Sequence, residues 1–162
     1  MDASEEAGDE RALTPLHPNH VKVLRINALL LSLPFGAGAL VLEFATDFLR
    51  TGTIILPVLV VAALAVLRVP LRRYHAKGYD MGADRLRVVR GLLFRSDTVV
   101  PFGRVQHIDV DAGPIERAYG LATLTLHTAG SHNASVHLPG LANEDAMAMR
   151  EEIRAHIRRD TM

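Results

Sequence analysis

Residues 26–42 (INALLLSLPFGAGALVL) and 51–67 (TGTIILPVLVVAALAVL) contain no charged side chain, and only residues 43–50 separate them. Each run has 17 residues. Because an α-helix rises about 1.5 Å per residue, a helix formed by such a run is roughly 25 Å long, near the lower limit for crossing the hydrocarbon core of a bilayer. Pro34 and Pro57 interrupt the runs, and membrane helices tolerate such residues where neighbouring groups satisfy the backbone. The two runs predict a transmembrane helical hairpin.

Two alternatives stay open from the sequence. A soluble protein can also bury a pair of short apolar helices in its core. A cleaved signal peptide is the other alternative, but it requires a basic segment before the apolar run. This chain instead has acidic residues between Asp2 and Glu10, which favours the membrane hairpin.

Basic residues flank the hairpin unevenly. Seven of them lie within about 15 residues of its outer ends, the window in which they set orientation, whereas the connecting segment contains only Arg50. Lysine and arginine stay on the cytoplasmic side of a membrane helix. We therefore predict a multi-pass protein of the cell (inner) membrane with both termini in the cytoplasm.

Composition limits what the rest of the chain can be. Of the 162 residues, roughly 90 remain after the hairpin, enough for one small domain with its own core. There is no cysteine, so disulfides, thiolate catalysis and cysteine-ligated zinc are excluded. Residues 68–104 carry nine basic and three acidic side chains, a block that anionic lipid would attract. Because this block adjoins the membrane segment, nucleic acid is not an expected partner.

The hydrophobic period becomes two after the hairpin. Alternation predicts strands at 85–89, 92–100, 104–110, 121–128 and 135–138, with turns at 111–120 and a hairpin loop at 129–133. Asn143 begins a predicted helix at 143–159, whose apolar stripe is Ala146, Met149, Ile153 and Ile157. We divide the chain into a disordered or extended tail (1–20), a transmembrane hairpin (21–73) and a β domain with its helix (74–160). The predicted fold is α+β, with an antiparallel sandwich or partly open barrel that the C-terminal helix caps.

Six short motifs follow the hairpin in a characteristic order. They are RGLL (90–93), VPFGRVQHI (100–108), GPIER (113–117), GLATL (120–124), TAG (128–130) and LPGL (138–141). Together they resemble the YdbS-like bacterial pleckstrin-homology (PH) membrane proteins, over residues 16–158. The resemblance implies a seven-stranded PH-like sandwich with a capping helix. It also implies that the protein functions together with a second, larger membrane protein that has repeated PH-like domains. It implies no established activity.

The leading functional hypothesis is a non-enzymatic, membrane-anchored PH-like adaptor in a cell-envelope complex. Its expected partners are the lipid bilayer and either a membrane protein with PH-like domains or a second copy of the chain, with no small-molecule substrate and no cofactor. Binding or sensing of anionic lipid at the inner leaflet is the alternative, and an unrecognised hydrolase is a further one. The loop at 81–84, predicted to join the first two strands, has no lysine or arginine, which disfavours a specific phosphoinositide pocket.

Basic side chains and one histidine are the candidate site residues. The candidate lipid contacts are Arg68, Arg72, Arg73, Lys77, Arg85 and Arg87. The candidate interaction residues are Arg104, Arg117 and His107. Either arginine of the second set can instead bridge strand ends.

Histidines raise the question of a metal or a catalytic site. If residues 129–133 close a hairpin, His127 and His137 lie diagonally on one face, about 7 Å apart. Two imidazoles need a third ligand, for which only His132 on the loop is a candidate, so no metal site is predicted. No serine or threonine is placed by a motif as a nucleophile, and no catalytic residue is predicted.

Overall fold

The computed structural model describes residues 13–45, 52–92, 94–129 and 135–160. The acidic tail, most of the segment between the apolar runs, Leu93 and His132 therefore lie outside the described residues. The chain divides into two compact units. One is helical and spans Val21–Tyr74, and the other combines residues 13–20 with those from His75 onward. We call the second unit the β domain.

Two long helices form the helical unit. Helix α1 is His20–Ala45 and helix α2 is Ile55–His75, so both extend beyond the apolar runs into the basic flanks. They are long and apolar enough to cross a membrane, and only 6% of the most apolar window of each is buried within the protein. A soluble core would bury such helices. Exposure of their leucines, valines and phenylalanines agrees instead with the predicted hairpin.

Glu43 joins the end of α1 to the beginning of α2. Its carboxylate accepts hydrogen bonds from the backbone N–H groups of Ile54 and Ile55, at 2.9 and 3.0 Å, and from that of Gly52. The first N–H groups of a helix have no partner within it, and a carboxylate satisfies them. The acidic residue beside the short connection therefore caps the second helix, a role that its sequence position did not reveal.

The first sheet has the order β1–β2–β3 and is antiparallel. Its strands are β1 (Lys77–Met81), β2 (Arg85–Arg90) and β3 (Ser96–Pro101). The connection at 81–84 joins the first two strands as predicted, and the Gly82 N–H donates to the Arg85 carbonyl at 2.9 Å. The strand predicted at 92–100 was wrong at its beginning, because β3 begins at Ser96 and the described residues Leu92, Phe94 and Arg95 belong to the turn between β2 and β3.

The second sheet has the order β4–β5–β6 and is also antiparallel. Its strands are β4 (Val105–Asp111), β5 (Leu121–Thr128) and β6 (Ser135–Ala142). A short helix α3, Pro114–Ala118, occupies the region predicted as turns. The described residues form six strands, where the resemblance implied seven. Thr14 forms an isolated antiparallel bridge with Tyr79 at the free edge of β1.

Apolar side chains from both sheets and from the C-terminal helix α4 (Asn143–Asp160) build the core. Leu86, Leu124 and Leu126 are fully buried. From the predicted stripe of α4, Ala146, Met149 and Ile153 are buried and Ile157 is half-buried. Phe102, in the 3-10 turn Phe102–Arg104, packs edge-on against His156 of α4 with ring centroids 5.4 Å apart.

Residues 13–20 pack on the β domain. The N–H of Thr14 donates to the Tyr79 carbonyl at 2.7 Å, and the N–H of His17 donates to the Gly140 carbonyl at 2.9 Å. Leu16 and His20 are 2% and 3% exposed. This part of the segment predicted as a tail is therefore a component of the domain, because it satisfies a strand edge and covers apolar surface.

Candidate functional site

The six candidate lipid contacts divide between the two units. Arg68, Arg72 and Arg73 are exposed on the last turns of α2, where a basic side chain complements the helix dipole. Lys77, Arg85 and Arg87 belong to the first sheet. The role of these six side chains in lipid binding stays a prediction. The sheet register shows how Lys77, Arg85 and Arg87 are arranged in the β domain.

Arg87 is engaged within the sheet. Its guanidinium donates to both oxygens of Asp97, with Nε–Oδ1 at 3.0 Å and Nη2–Oδ2 at 2.5 Å. Hydrogen bonding to Arg87 holds the pKa of the Asp97 carboxyl below its usual value. The pair links β2 to β3 across the strands, so the charge of Arg87 is largely offset by a neighbouring carboxylate.

Lys77 and Arg85 lie at opposite ends of the first sheet. Lys77 is opposite Arg90, and Arg85 begins the same strand that Arg90 ends. Five steps along a strand at about 3.4 Å each separate the two ends by roughly 17 Å. The basic residue opposite Lys77 is thus Arg90, and Arg95 directly precedes Ser96, which is opposite Arg90 on β3. Sequence reasoning singled out neither arginine.

Arg117 and Glu116 of the GPIER motif have different structural roles. The Arg117 guanidinium donates to the Ala112 carbonyl at 3.3 Å, a local contact just after β4. Glu116 accepts from the Gly113 N–H at the start of α3 and from the Thr123 hydroxyl, both at 3.0 Å. Glu116 thereby joins α3 to β5, and with them the GPIER motif to the GLATL motif.

Arg104 and His107 present their side chains on the surface. Arg104 ends the 3-10 turn that follows β3, and its carbonyl accepts from the Ala129 N–H at 3.2 Å. The side chain of His107 on β4 is 68% exposed. The interaction roles predicted for these residues and for Arg117 stay predictions.

Four polar side chains on the outer face of the second sheet form one hydrogen-bonded chain, which we call the β4–β6 cluster: His107, Asp109, His127 and Ser135. Asp109 contacts His107 Nε2 through Oδ1 at 2.8 Å and His127 Nε2 through Oδ2 at 3.2 Å. The other ring nitrogen of His127 lies 2.9 Å from the Ser135 hydroxyl. Strand pairing explains the arrangement, since His127 is opposite both His107 and Ser135.

The predicted diagonal placement of His127 and His137 is confirmed, because Thr125 is opposite His137 and Ser135 is opposite His127. Each imidazole bonds a hydroxyl across the strands, and Thr125 Oγ1 lies 3.0 Å from His137 Nδ1. Among the residues that the structure describes, no group of three or more His, Asp or Glu side chains is placed to hold a metal ion. The third candidate ligand, His132, lies outside them.

Removing Asp109 tests whether the β4–β6 cluster is held together. We expect Asp109→Ala to lower the free energy of unfolding by about 1 kcal/mol, because two partly exposed imidazole contacts disappear together. Asp111→Ala is the control, since Asp111 lies on the same strand opposite Thr123, and it should change the stability by less than about 0.5 kcal/mol. Thermal unfolding followed by circular dichroism measures both. Equal losses of stability in the two variants would show that the contacts of Asp109 within the cluster do not stabilise the domain.

The profile of the family described as "Bacterial PH domain" matches residues 22–157, more than four-fifths of the chain, including all of α2 and all but the first two residues of α1. The chain belongs to the bacterial PH domain family. The resemblance predicted from the six motifs is thereby confirmed.

A relative of this bacterial PH protein is the UPF0699 transmembrane protein YdbS of Bacillus subtilis (strain 168). The two are 26% identical over 150 residues, which cover 89% of this chain and 92% of the relative. No solved structure matches. A transmembrane relative of nearly full coverage, together with two exposed apolar helices, makes this chain a membrane protein with a PH-like domain.

Proposed function

We propose that this protein is a membrane-anchored, non-catalytic adaptor whose PH-like domain binds a protein partner in the cytoplasm. The β4–β6 cluster is the observation that carries the proposal. Its hydrogen bonds position exposed polar side chains before any partner arrives, so less conformational entropy is lost on binding. The partner is a membrane protein with PH-like domains or a second copy of the chain, and the complex belongs to the cell envelope.

The proposed location is the inner membrane, with both helices spanning and both termini cytoplasmic. The basic side chains at the beginning of α1, Lys22 and Arg25, and those at the end of α2 support this orientation. Reporters fused to the two ends should both give cytoplasmic signals. Signals from opposite compartments would contradict the hairpin, and recovery of the full chain in the aqueous fraction without detergent would contradict the anchor.

Site-specific crosslinking in intact cells tests the adaptor role. A photoreactive residue in place of His107 should give an adduct with a membrane protein or with a second copy, because His107 is the most exposed member of the cluster. The same residue in place of Glu151, which is exposed on α4, is the matched control. An adduct at native expression from His107 alone supports the proposal. No adduct, or equal adducts from both positions, contradicts a binding surface at the β4–β6 cluster.

Catalysis is the less supported alternative, although Ser135, His127 and Asp109 lie in the order of a hydrolytic triad. A hydrolase also needs a concave site with donors for the developing oxyanion. The three side chains lie on an open sheet face, and they line neither the groove between α1 and α2 nor the small cavity beside Lys77. Any turnover that Ser135→Ala or His107→Ala abolished would contradict the non-catalytic proposal.

Anionic-lipid binding is the other alternative, and one observation favours it. Lys77 is opposite Arg90 at one end of the first sheet, and Arg95 directly precedes Ser96, which is opposite Arg90 on β3. Each basic side chain near an anionic surface contributes about 1 kcal/mol to binding.

A further inference from the structure

The turn between β2 and β3 exposes large apolar side chains. Phe94 is 89% exposed, the most exposed of the large apolar side chains in the described residues, and Leu92 is 44% exposed. A phenylalanine is normally a core residue, and exposing one leaves its apolar surface in contact with water. An aromatic and a leucine at the tip of a turn are side chains that bury readily in a membrane interface.

Gly91 fixes the conformation of this turn. Its φ angle is +144°, a region that side-chain-bearing residues rarely adopt, and a Cβ at this position would lie 1.9 Å from the carbonyl oxygen of Phe94. The backbone of the turn therefore doubles back tightly on Gly91. This close approach sets the positions of Leu92 and Phe94 at the tip, so their exposure follows from the geometry of the turn.

Positive charge surrounds the exposed side chains. Arg90 ends β2 directly before the turn, Arg95 is the last residue of the turn, and Lys77 is opposite Arg90 on the neighbouring strand. The connection at the other end of β1 and β2 instead contains Asp84 and no basic residue. An apolar tip with a basic rim is complementary to an anionic lipid surface, where the acyl boundary lies beneath a layer of phosphates.

The turn lies at the end of the first sheet at which β1 begins. Lys77 begins β1 only two residues after His75 ends α2. The register Lys77–Arg90–Ser96 crosses the sheet at this end, and neighbouring strands are about 4.8 Å apart. The turn that Arg90 and Ser96 flank is therefore at the end of the sheet where the chain arrives from α2.

We propose that the β2–β3 turn inserts Leu92 and Phe94 into the interface of an anionic bilayer, while Arg90 and Arg95 contact lipid phosphates. The turn is then a second membrane attachment, which holds the β domain against the surface. The inference rests on the proposed membrane anchoring and is independent of a protein partner. It also differs from headgroup binding at the loop joining β1 and β2, which has no basic residue.

A single tryptophan tests the insertion, because the natural chain contains none. The full chain carrying Phe94→Trp is reconstituted into nanodiscs of phosphatidylcholine and phosphatidylglycerol with brominated acyl chains. We expect blue-shifted emission and several-fold stronger quenching than for Met147→Trp, a reporter at a 40% exposed apolar position on α4. Both leaflets of a nanodisc are accessible, so the result does not depend on the orientation proposed for cells.

The charge of the rim is tested in the Phe94→Trp background. Arg90→Gln with Arg95→Gln should return most of the emission to that of an aqueous indole, and replacement of both arginines by lysine should retain the quenching. Added salt or pure phosphatidylcholine should weaken the quenching, because both reduce attraction at the surface. Equal quenching of the two reporters, or aqueous emission from Phe94→Trp in the anionic nanodisc, would overturn the proposal. Either result would leave the crosslinking test of the adaptor role unaffected.

Discussion

Phe102→Ala should lose about 3–5 kcal/mol of stability, the usual cost of deleting a buried aromatic ring. Phe102 is 1% exposed, and its ring packs against His156 of α4. The variant removes the contact by which the 3-10 turn after β3 supports the C-terminal helix. Because domains of this size have roughly 5–15 kcal/mol of stability in total, we expect a large fall in the thermal midpoint, at least about 10 °C.

The same substitution at Phe94 is the matched control. Phe94 is 89% exposed, so Phe94→Ala should change the stability by less than about 0.5 kcal/mol. Circular dichroism of the full chain in detergent measures both midpoints. Similar losses would show that Phe94 belongs to a packed core. If Phe94→Ala leaves the stability unchanged, the exposed Phe94 side chain has no role in folding. The membrane role proposed for Phe94 requires this result.

Periodicity predicted the elements whose side chains alternate or repeat regularly. In β5, Leu124 and Leu126 alternate with Thr123 and Thr125, and the observed strand has the predicted bounds. The β2–β3 turn was not predictable in this way. Leu92 and Phe94 lie two positions apart, as side chains on one face of a strand do. The bend depends instead on the positive φ of Gly91, and the hydrophobic pattern does not encode a backbone angle.

The sequence predicts only those contacts of the candidate site that lie within one strand or within one hairpin. Neighbouring positions on β4 place His107 and Asp109 on one face, and the hairpin of β5 and β6 places His127 near Ser135. Asp109 joins these two pairs only through the register between β4 and β5, strands that a short helix separates in the chain. The Arg87–Asp97 pair was missed for the same reason, since a strand predicted from residue 92 did not fix which residues face each other.

Gly140→Ala should be destabilising by about 2–4 kcal/mol, through two separable causes. The φ angle of Gly140 is +78°, where an alanine costs about 1–2 kcal/mol. In addition, its Cβ would lie 2.4 Å from Cγ of the buried His20 ring, an overlap typical of the overpacking that costs about 1–3 kcal/mol. The variant thus tests whether residues 13–20 belong to the β domain.

Gly120→Ala separates the two causes. Gly120 has a similar φ of +68°, but a Cβ there meets no atom within 4 Å, so this variant should show the backbone cost alone. In a His20→Ala background the ring is gone and only its Cβ remains, 2.9 Å from the added carbon, so Gly140→Ala should cost much less than in the natural chain and approach the cost of Gly120→Ala. The difference between backgrounds is a coupling energy, expected at about 1–3 kcal/mol for residues in contact. A coupling near zero in thermal unfolding would mean that His20 does not pack on Gly140. The segment that leads into α1 would then be a tether, and its packing would not link the first membrane helix to the stability of the β domain.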